Sequence, residues 1–198
     1  MAIGRIIRRR QDGAETADTL TGTLHEDVLF GHGGDDLLLG GRGADLLMGA
    51  AGLDTLRGGA GNDTLFGGDG DDQLEGGDGD DRLFGDAGAD RAAGGDGADW
   101  LDGGAGNDSM IGDAGSDTLF GGDGDDLLRG GTEDDLLHGD VGNDWLLGDA
   151  GNDTLQGGAG ADTLEGGLGT DSLVGGAGDD LMRGGDGNDS LHGQLGHD

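Results

Sequence analysis

Residues 58–66 read GGAGNDTLF, and this nonapeptide is one copy of a pattern that fills almost the whole chain. We number its positions so that the first glycine is position one and the aspartate is position six. An aspartate then occupies position six of every copy from Asp18 to Asp198, which makes twenty-one copies without an insertion or deletion. A repeat this strict determines the fold, because each copy must form the same unit and stack on its neighbours.

Glycine dominates the first half of the nonapeptide, and leucine marks the second half. Position one is glycine in all twenty-one copies, and position four is glycine in all but three, where Thr16, His25 and Glu133 replace it. Position eight is leucine in seventeen of the twenty copies that contain it. Glycine reaches backbone angles that other residues avoid, so the first six positions predict a tight turn. The last three predict a strand of about three residues with its leucine on one side.

A strand this short cannot bury its leucine alone, whereas stacked coils of strands can. The repeat therefore predicts an all-β coil with a thin core of one leucine per copy. The uniform register argues for a single solenoid over residues 13–198, preceded by a basic arm at residues 1–12.

Negative charge collects in the predicted turns. The chain has 43 acidic and 10 basic residues, which gives a net charge of -33. Repulsion on this scale opposes compaction, so a neutralising partner is expected. Carboxylates and free carbonyls suit calcium, which takes 6–8 oxygen ligands in irregular geometry, better than magnesium, which demands an octahedron. Zinc and copper would need cysteine or clustered histidine, and the chain has no cysteine and five scattered histidines. The alternative is that the aspartates only form turns and keep the chain soluble.

The unit G-G-x-G-x-D-x-L-x resembles the calcium-binding nonapeptide of RTX (repeats-in-toxin), or hemolysin-type, proteins. The resemblance covers residues 13–198, and twenty-one copies in register make it specific. It implies a right-handed parallel β-roll, a β-solenoid with two nonapeptides per 18-residue coil. It also implies calcium ions between turns that lie two copies apart, so that Asp36 is matched with Asp54 and Asp45 with Asp63.

On this resemblance the position-six aspartates ligate calcium through their carboxylates, and carbonyls of the turns complete each site. Twenty-one turns allow at most nineteen such sites, and about 15 ions would contribute about +30 against the -33. The earliest turns and the turn of Asp135 depart from the family pattern, because Thr16, His25 and Glu133 replace the fourth glycine. The predicted metal ligands are Asp36, Asp45, Asp54, Asp63, Asp72, Asp81, Asp90, Asp99, Asp108, Asp117, Asp126, Asp135, Asp144, Asp153, Asp162, Asp171, Asp180 and Asp189.

Apolar residues make up 32% of the chain and aromatic residues 3%, a composition typical of disordered proteins. We therefore expect the calcium-free chain to be disordered and the loaded chain to be ordered, with metal binding coupled to folding. Weak sites of this kind would fill only outside the cell, where calcium is abundant. The resemblance implies secretion by a type I system. Residues 5–10 look like the basic start of a signal peptide, but no apolar stretch follows them and no transmembrane span is present.

One outer face of the predicted roll is richer in aromatic residues than the other. All four phenylalanines, Phe30, Phe66, Phe84 and Phe120, occur at position nine of even-numbered copies, so they fall in one column, with Met48 in the same column. One interpretation is a ladder of side chains that stabilises neighbouring strands. The other is an interface for self-association or for a surface partner.

Catalysis in this chain is not expected, because it contains neither H-E-x-x-H nor G-x-S-x-G and no separate domain. The negative charge disfavours nucleic acid. Ice binding would want a regular threonine ladder, whereas Thr55 and Thr64 fall on different faces. Two alternatives to a secreted calcium-binding module remain. One is a surface, adhesion or scaffold role through the phenylalanine-rich face, and the other is the non-catalytic repeat part of a larger RTX toxin or enzyme.

Overall fold

The computed structural model describes residues 9–198. This part of the chain consists of two parallel sheets joined by short turns. Each coil of two copies contributes one strand to each sheet, so strands that are neighbours in a sheet are next-but-one in the sequence. Leu65 lies beside Leu83, and Phe66 lies beside Phe84. This all-β parallel solenoid with two nonapeptides per coil confirms the fold expected from the repeat.

The eleven-stranded sheet consists of β1 (Arg9–Asp12), β3 (Asp27–Gly33), β5 (Leu46–Ala51), β7 (Thr64–Asp69), β9 (Arg82–Ala87), β11 (Trp100–Ala105), β13 (Thr118–Asp123), β15 (Leu136–Val141), β17 (Thr154–Ala159), β19 (Ser172–Ala177) and β21 (Ser190–Leu195). The ten-stranded sheet consists of β2 (Thr19–Thr21), β4 (Leu37–Arg42), β6 (Thr55–Ala60), β8 (Gln73–Asp78), β10 (Arg91–Asp96), β12 (Ser109–Ala114), β14 (Leu127–Thr132), β16 (Trp145–Ala150), β18 (Thr163–Gly169) and β20 (Leu181–Gly187).

Most strands have six residues, so the expected length of about three was too short. From β4 onward, each strand begins at position seven and continues through positions one to three of the next copy, as β10 does from Arg91 to Asp96. The glycine pair therefore belongs to the strand, and only positions four to six form the turn. Position two has a positive φ, for example +113° at Gly59 and 73° at Asp86. Glycine favours this conformation, and aspartate tolerates it better than most residues do.

The core is a double column of leucines between the two sheets. Position eight is buried from Leu20 to Leu173, and most of these leucines are fully enclosed. Ala92 and Met110 replace leucine in the ten-stranded sheet and remain buried. Most position-one glycines are buried as well, and a Cβ atom there would meet the carboxylate of the same copy, not a leucine. The core is therefore one side chain deep on each side, as the sequence predicts.

The predicted arm at residues 1–12 is described only in part, because residues 1–8 lie outside the described range. Its last four residues form β1 and pair with β3. The guanidinium of Arg10 lies 4.7 Å from the centroid of the Phe30 ring and also bonds to Asp12. Within residues 9–198, no helix is long and apolar enough to cross a membrane.

Candidate metal centre

The position-six aspartates form a buried column along each edge of the roll. From Asp36 onward, each carboxylate turns back toward the preceding coil, where its Oδ1 atom accepts the backbone N–H of the aspartate two copies earlier. Asp63 donates to Asp81 over 2.7 Å, and Asp45 donates to Asp63 over the same distance. The two aspartates at the end of the predicted series, Asp171 and Asp189, are joined in the same way at 3.0 Å. Aspartates that the sequence matches two copies apart are therefore direct neighbours in the structure.

The second oxygen of nearly every one of these carboxylates is buried without a hydrogen-bond partner among residues 9–198. A buried polar atom left in this state costs on the order of 1–3 kcal/mol, and more when it is charged. Native proteins rarely leave such groups without an explanation. The Oδ2 atoms concerned are those of Asp36, Asp45, Asp54, Asp63, Asp72, Asp81, Asp90, Asp99, Asp108, Asp117, Asp126, Asp135, Asp144, Asp153, Asp162, Asp171 and Asp180.

The position-one glycine makes room for the unpartnered oxygen. A Cβ atom on Gly40 would lie 2.6 Å from Oδ2 of Asp45 and 2.6 Å from the carbonyl oxygen of Gly58 in the next coil. A carboxylate oxygen and a main-chain carbonyl oxygen from successive coils therefore border one small space. Oxygens of these two kinds are the ligands that calcium takes. The invariance of glycine at this position thus has a physical reason that concerns the candidate site as well as the turn.

Removal from water raises the pKa of most of these carboxyl groups. Burial raises the pKa of Asp63 to about 6 and that of Asp81 to about 7, although the hydrogen bond from the neighbouring backbone acts in the opposite direction. Aspartates one coil away raise these pKa values further. Values of about 7 also occur at Asp72, Asp126 and Asp135. A column of carboxylates with high proton affinity is a column that a cation would stabilise.

The first two turns differ from the rest, as the loss of the fourth glycine suggests. Oδ2 of Asp18 accepts the N–H of Ala14 at 2.7 Å. Oδ2 of Asp27 accepts both the N–H and the hydroxyl of Thr23 at 2.5 and 2.8 Å. In these turns the chain itself supplies donors to the oxygen that is unpartnered elsewhere.

Glu133 is accommodated without loss of the turn. It adopts a φ of 71° at a position where glycine is usual, and its Oε2 atom accepts the N–H of Gly115 in the preceding coil at 3.1 Å. Asp135 keeps the hydrogen bonds of the series, because its N–H donates to Asp153 and its Oδ1 accepts from Asp117. The substitution therefore leaves the carboxylate of this turn in its ordinary place.

Position five carries a second ladder that the sequence analysis did not identify. Oδ1 of Asp71 accepts the N–H of Ala89 at 2.9 Å, and Oδ1 of Asp125 accepts the N–H of Asn143 at 2.8 Å. These side chains are exposed and lie on the outside of the turns. The frequent Asn and Asp at this position was the available signal. Because its acceptors already have donors, this ladder contributes to stacking rather than to the buried candidate site.

Side chains alone do not form a metal site in the described part of the chain, since no group of three or more His, Cys, Asp or Glu residues is close enough to hold an ion. A site must therefore combine carboxylates with main-chain carbonyls, as the space beside Gly40 does. Seventeen of the eighteen predicted ligands have a buried, unpartnered Oδ2, and the remaining one, Asp189, lies near the end of the roll. That these residues bind calcium remains a prediction.

Comparison with known families identifies the repeat. The chain matches the family model described as the RTX calcium-binding nonapeptide repeat (4 copies), at residues 12–47, 48–83, 75–110, 84–119, 111–146, 120–155, 138–173 and 165–198. Together these matches extend from residue 12 to residue 198. The resemblance stated on the sequence is thereby confirmed over nearly the full chain.

Other comparisons add less. No curated protein matches the chain at a significant level. Among solved structures, the fold is similar to the X-ray crystal structure of a hyperactive, Ca2+-dependent, β-helical antifreeze protein from an Antarctic bacterium. That similarity has 22% sequence identity and a TM-score of 0.32, and covers 91% of this chain and 80% of the other. A TM-score this low carries no argument about function.

Proposed function

Because this chain belongs to the family of RTX calcium-binding nonapeptide repeat proteins, we propose that it is a calcium-dependent folding module. In this proposal the position-six aspartates, together with main-chain carbonyls, bind the ions, and the roll forms only when they are bound. The observation that supports this proposal most directly is the row of seventeen position-six aspartates whose Oδ2 atoms are buried without a hydrogen-bond partner in the described chain. Bound calcium would supply positive charge and oxygen coordination at these atoms.

The chain's own residues explain why an ion is needed. Oδ1 of Asp81 is fixed by the N–H of Asp63, so the carboxylate cannot rotate to expose its other oxygen without losing that bond. Oδ2 is then held beside Gly76, away from water. With its carboxylates ionised, a roll of net charge -33 would combine buried charge with repulsion along two columns. Stacking of the turns therefore favours the roll only if the columns are neutralised.

The proposed number of ions follows from the same balance. About 15 calcium ions would contribute about +30 and leave the roll near neutrality. The first two turns, whose Oδ2 atoms already accept hydrogen bonds, would be the weakest sites. Magnesium would substitute poorly, because it keeps its waters and demands near-ideal octahedral geometry.

We propose that loading takes place outside the cell, after secretion by a type I system. The support for this is the low apolar content of the chain, which favours disorder without calcium, and the absence of cysteine. A chain that stays unfolded at low calcium can be exported unfolded and can fold where calcium is abundant.

The experiment that tests ion binding is equilibrium dialysis of the full chain against radioactive calcium, with magnesium in a parallel cell. We expect roughly 15 calcium ions per chain and little competition from equimolar magnesium. Binding of only a few ions, or equal binding of magnesium, would leave the aspartates as turn formers and solubilisers.

Catalysis is not part of the proposal. The repeat solenoid is a structural calcium-binding fold, and its acidic pairs, such as Asp71 and Asp72, recur along the turns instead of marking one place. Nucleic acid is not a proposed partner, because the chain has only 10 basic residues to contact phosphates, against 43 acidic ones.

A second candidate function is a surface or scaffold role through the phenylalanine-rich face. Phe30, Met48, Phe66 and Phe84 occupy successive coils of the eleven-stranded sheet and are half-buried by one another and by their neighbours. The rings of Phe66 and Phe84 stack with centroids 4.8 Å apart. Stacking supports the ladder interpretation, and the exposed ring edges leave room for the interface interpretation.

The two interpretations of this face make different predictions for a Phe66→Ser/Phe84→Ser double variant. If the rings act as a ladder, calcium-induced folding weakens and the oligomeric state is unchanged. If they form an interface, folding persists and self-association is lost, which sedimentation in saturating calcium would detect. The double variant therefore distinguishes the ladder interpretation from the interface interpretation.

A further inference from the structure

The aromatic part of the phenylalanine column, from Phe66 to His138, has one break. Asp102 occupies the place between Phe84 and Phe120, which are two coils apart. Phe66 and Phe84 form one stack, with an interplanar angle of 9°, and Phe120 and His138 form another, with centroids 4.9 Å apart and an angle of 5°. Neither stack continues through the coil of Asp102, so one aromatic ring, which we call the missing rung, is absent from the middle of the column.

The missing rung leaves a notch of about 310 Å³ that is lined by Arg82, Phe84, Trp100 and Asp102. Trp100 is 42% exposed and inclines toward Phe120, with ring centroids 5.0 Å apart and an angle of 35°. The indole and the open end of the phenylalanine stack therefore border the same opening. A notch of this size lies at the lower end of the range for small-molecule sites.

Two charged groups border this notch without partners. In the part of the chain that the structure describes, the side chains of Arg82 and Asp102 form no ion pair with each other and no side-chain hydrogen bond. Burial raises the pKa of Asp102, and the carboxylates of Asp86 and Asp140 raise it further. The notch thus offers aromatic surface, a fan of guanidinium N–H donors and a poorly hydrated carboxylate acceptor.

We propose that this notch binds a hexose unit of a neutral glycan. The apolar C–H face of a pyranose ring would pack on Trp100 and Phe84, its hydroxyls would donate to Asp102, and its ring or hydroxyl oxygens would accept from Arg82. Each lining residue then has a role, and each polar group gains the partner that it lacks. The proposal rests on the proposed function, since the notch exists only in the folded, calcium-loaded roll.

Other occupants fit the notch less well. The carboxylate of Asp102 would repel an acidic sugar, and an organic cation would meet the charge of Arg82. A second chain would need more surface. The apolar part of the face, from Val28 to Leu136, spans seven coils and roughly 30 Å by 13 Å, or about 400 Å², about half of the roughly 800 Å² per partner of a typical stable interface.

The test uses the full chain in saturating calcium with Trp145→Phe as background, so that Trp100 is the only tryptophan. Cellohexaose, laminarihexaose and maltohexaose serve as neutral probes, and hexagalacturonate serves as the acidic control. We expect at least one neutral hexaose to shift the Trp100 emission in a saturable way, with half-saturation below about 1 mM, and the acidic hexamer to have no effect. An unchanged emission with all three neutral hexaoses would overturn the site.

Variants separate binding from folding. Trp100→Thr copies Thr118 of the next coil, and Asp102→Phe supplies the missing rung and fills the notch. By calorimetry, both should weaken binding of the responsive hexaose by at least tenfold while circular dichroism remains that of the loaded roll. The matched control is Trp145→Thr, which copies Thr163 on the opposite face and should bind as the unmodified chain does. Equal loss in the control, or full binding by Asp102→Phe, would also overturn the site.

Failure of this proposal can be distinguished from failure of the proposed function. A chain that gains β-structure with calcium but ignores every neutral hexaose lacks the glycan site alone. A chain that shows no calcium-dependent β-structure lacks both, because the notch depends on the stacked coils around Trp100.

Discussion

Asp63 donates its backbone N–H to Oδ1 of Asp81 in the next coil over 2.7 Å, while Oδ2 of Asp81 is buried with no partner in the described chain. One oxygen of the carboxylate therefore holds two coils together, and the other is left for a ligand that the chain does not supply. The same division recurs along both edges of the roll. It links the stacking of the coils to the proposed calcium sites.

Asp81→Asn should separate these two roles, because the amide oxygen can still accept the N–H of Asp63 while the second oxygen is lost. We expect fewer bound calcium ions, by one or two, and a higher calcium concentration at the folding midpoint. Asp80→Asn is the matched control. It removes the same charge from an exposed side chain and should change both quantities little. Equal effects of the two variants in a calcium titration would contradict the assignment of the buried column.

The raised pKa values predict that acid partly replaces calcium. For Asp63 and Asp81 the folded-state pKa values are about 6 and about 7, above the ordinary 3.8, so the folded roll binds protons that the unfolded chain releases. The stability from these groups is full below about pH 4 and is lost as the pH rises through 6 to 7. Without calcium, we expect more β-structure at pH 5 than at pH 7.5. Equal disorder at both pH values, measured by circular dichroism in EDTA, would contradict this.

Protons and calcium should compete for the same oxygens. The calcium concentration needed for half-folding should therefore rise as the pH falls from 7.5 to 5.5, even though the calcium-free chain becomes less disordered over the same range. A calcium affinity that is independent of pH would show that the ions bind elsewhere.

Gly40→Ala should damage the candidate site directly. The added Cβ atom would lie 2.6 Å from both Oδ2 of Asp45 and the carbonyl oxygen of Gly58, too close for either to remain in place. We expect a loss of about 1–3 kcal/mol in the free energy of unfolding at fixed calcium, measured by urea titration. Ala44→Ser adds one heavy atom to an exposed site of the same turn and should be nearly neutral.

Ala92 marks a weak point of the core. It stands between Leu74 and Met110 in the inner column of the ten-stranded sheet, and its side chain is the smallest in that column. Ala92→Leu should stabilise the loaded roll by about 2 kcal/mol, near 0.8 kcal/mol for each added carbon. The reciprocal control is Leu83→Ala, which should cost about 2–5 kcal/mol. Destabilisation by Ala92→Leu would show that the core is already full there.

The strict period was sufficient to predict a coil of strands with a leucine core, and the resemblance to RTX proteins added the alignment of aspartates two copies apart. The sequence did not predict the strand length. The ladder continues through Gly58 and Gly59, since a positive φ at position two bends the strand without ending it. In a sequence, a glycine that bends a strand cannot be distinguished from a glycine that forms a turn.

The site could be predicted as a set of residues but not as an arrangement. In the structure, one oxygen of Asp81 accepts the backbone N–H of Asp63 and the other has no partner. This division depends on the side-chain rotamer of Asp81 and on the closeness of Gly76, which the sequence does not reveal. The notch at Asp102 could not be predicted for a related reason. The period shows that the phenylalanine column is broken there, but the opening itself depends on ring orientations that only the structure gives.

The most direct test of the account is far-UV circular dichroism of the full chain during a calcium titration from an EDTA-treated start, with magnesium as the control. We predict a cooperative change from coil to β-structure that calcium produces, magnesium does not, and EDTA reverses. A chain that is already β-structured at pH 7.5 without calcium, or that stays disordered in millimolar calcium, would contradict the proposal that calcium neutralises the buried aspartates and so allows the roll to fold.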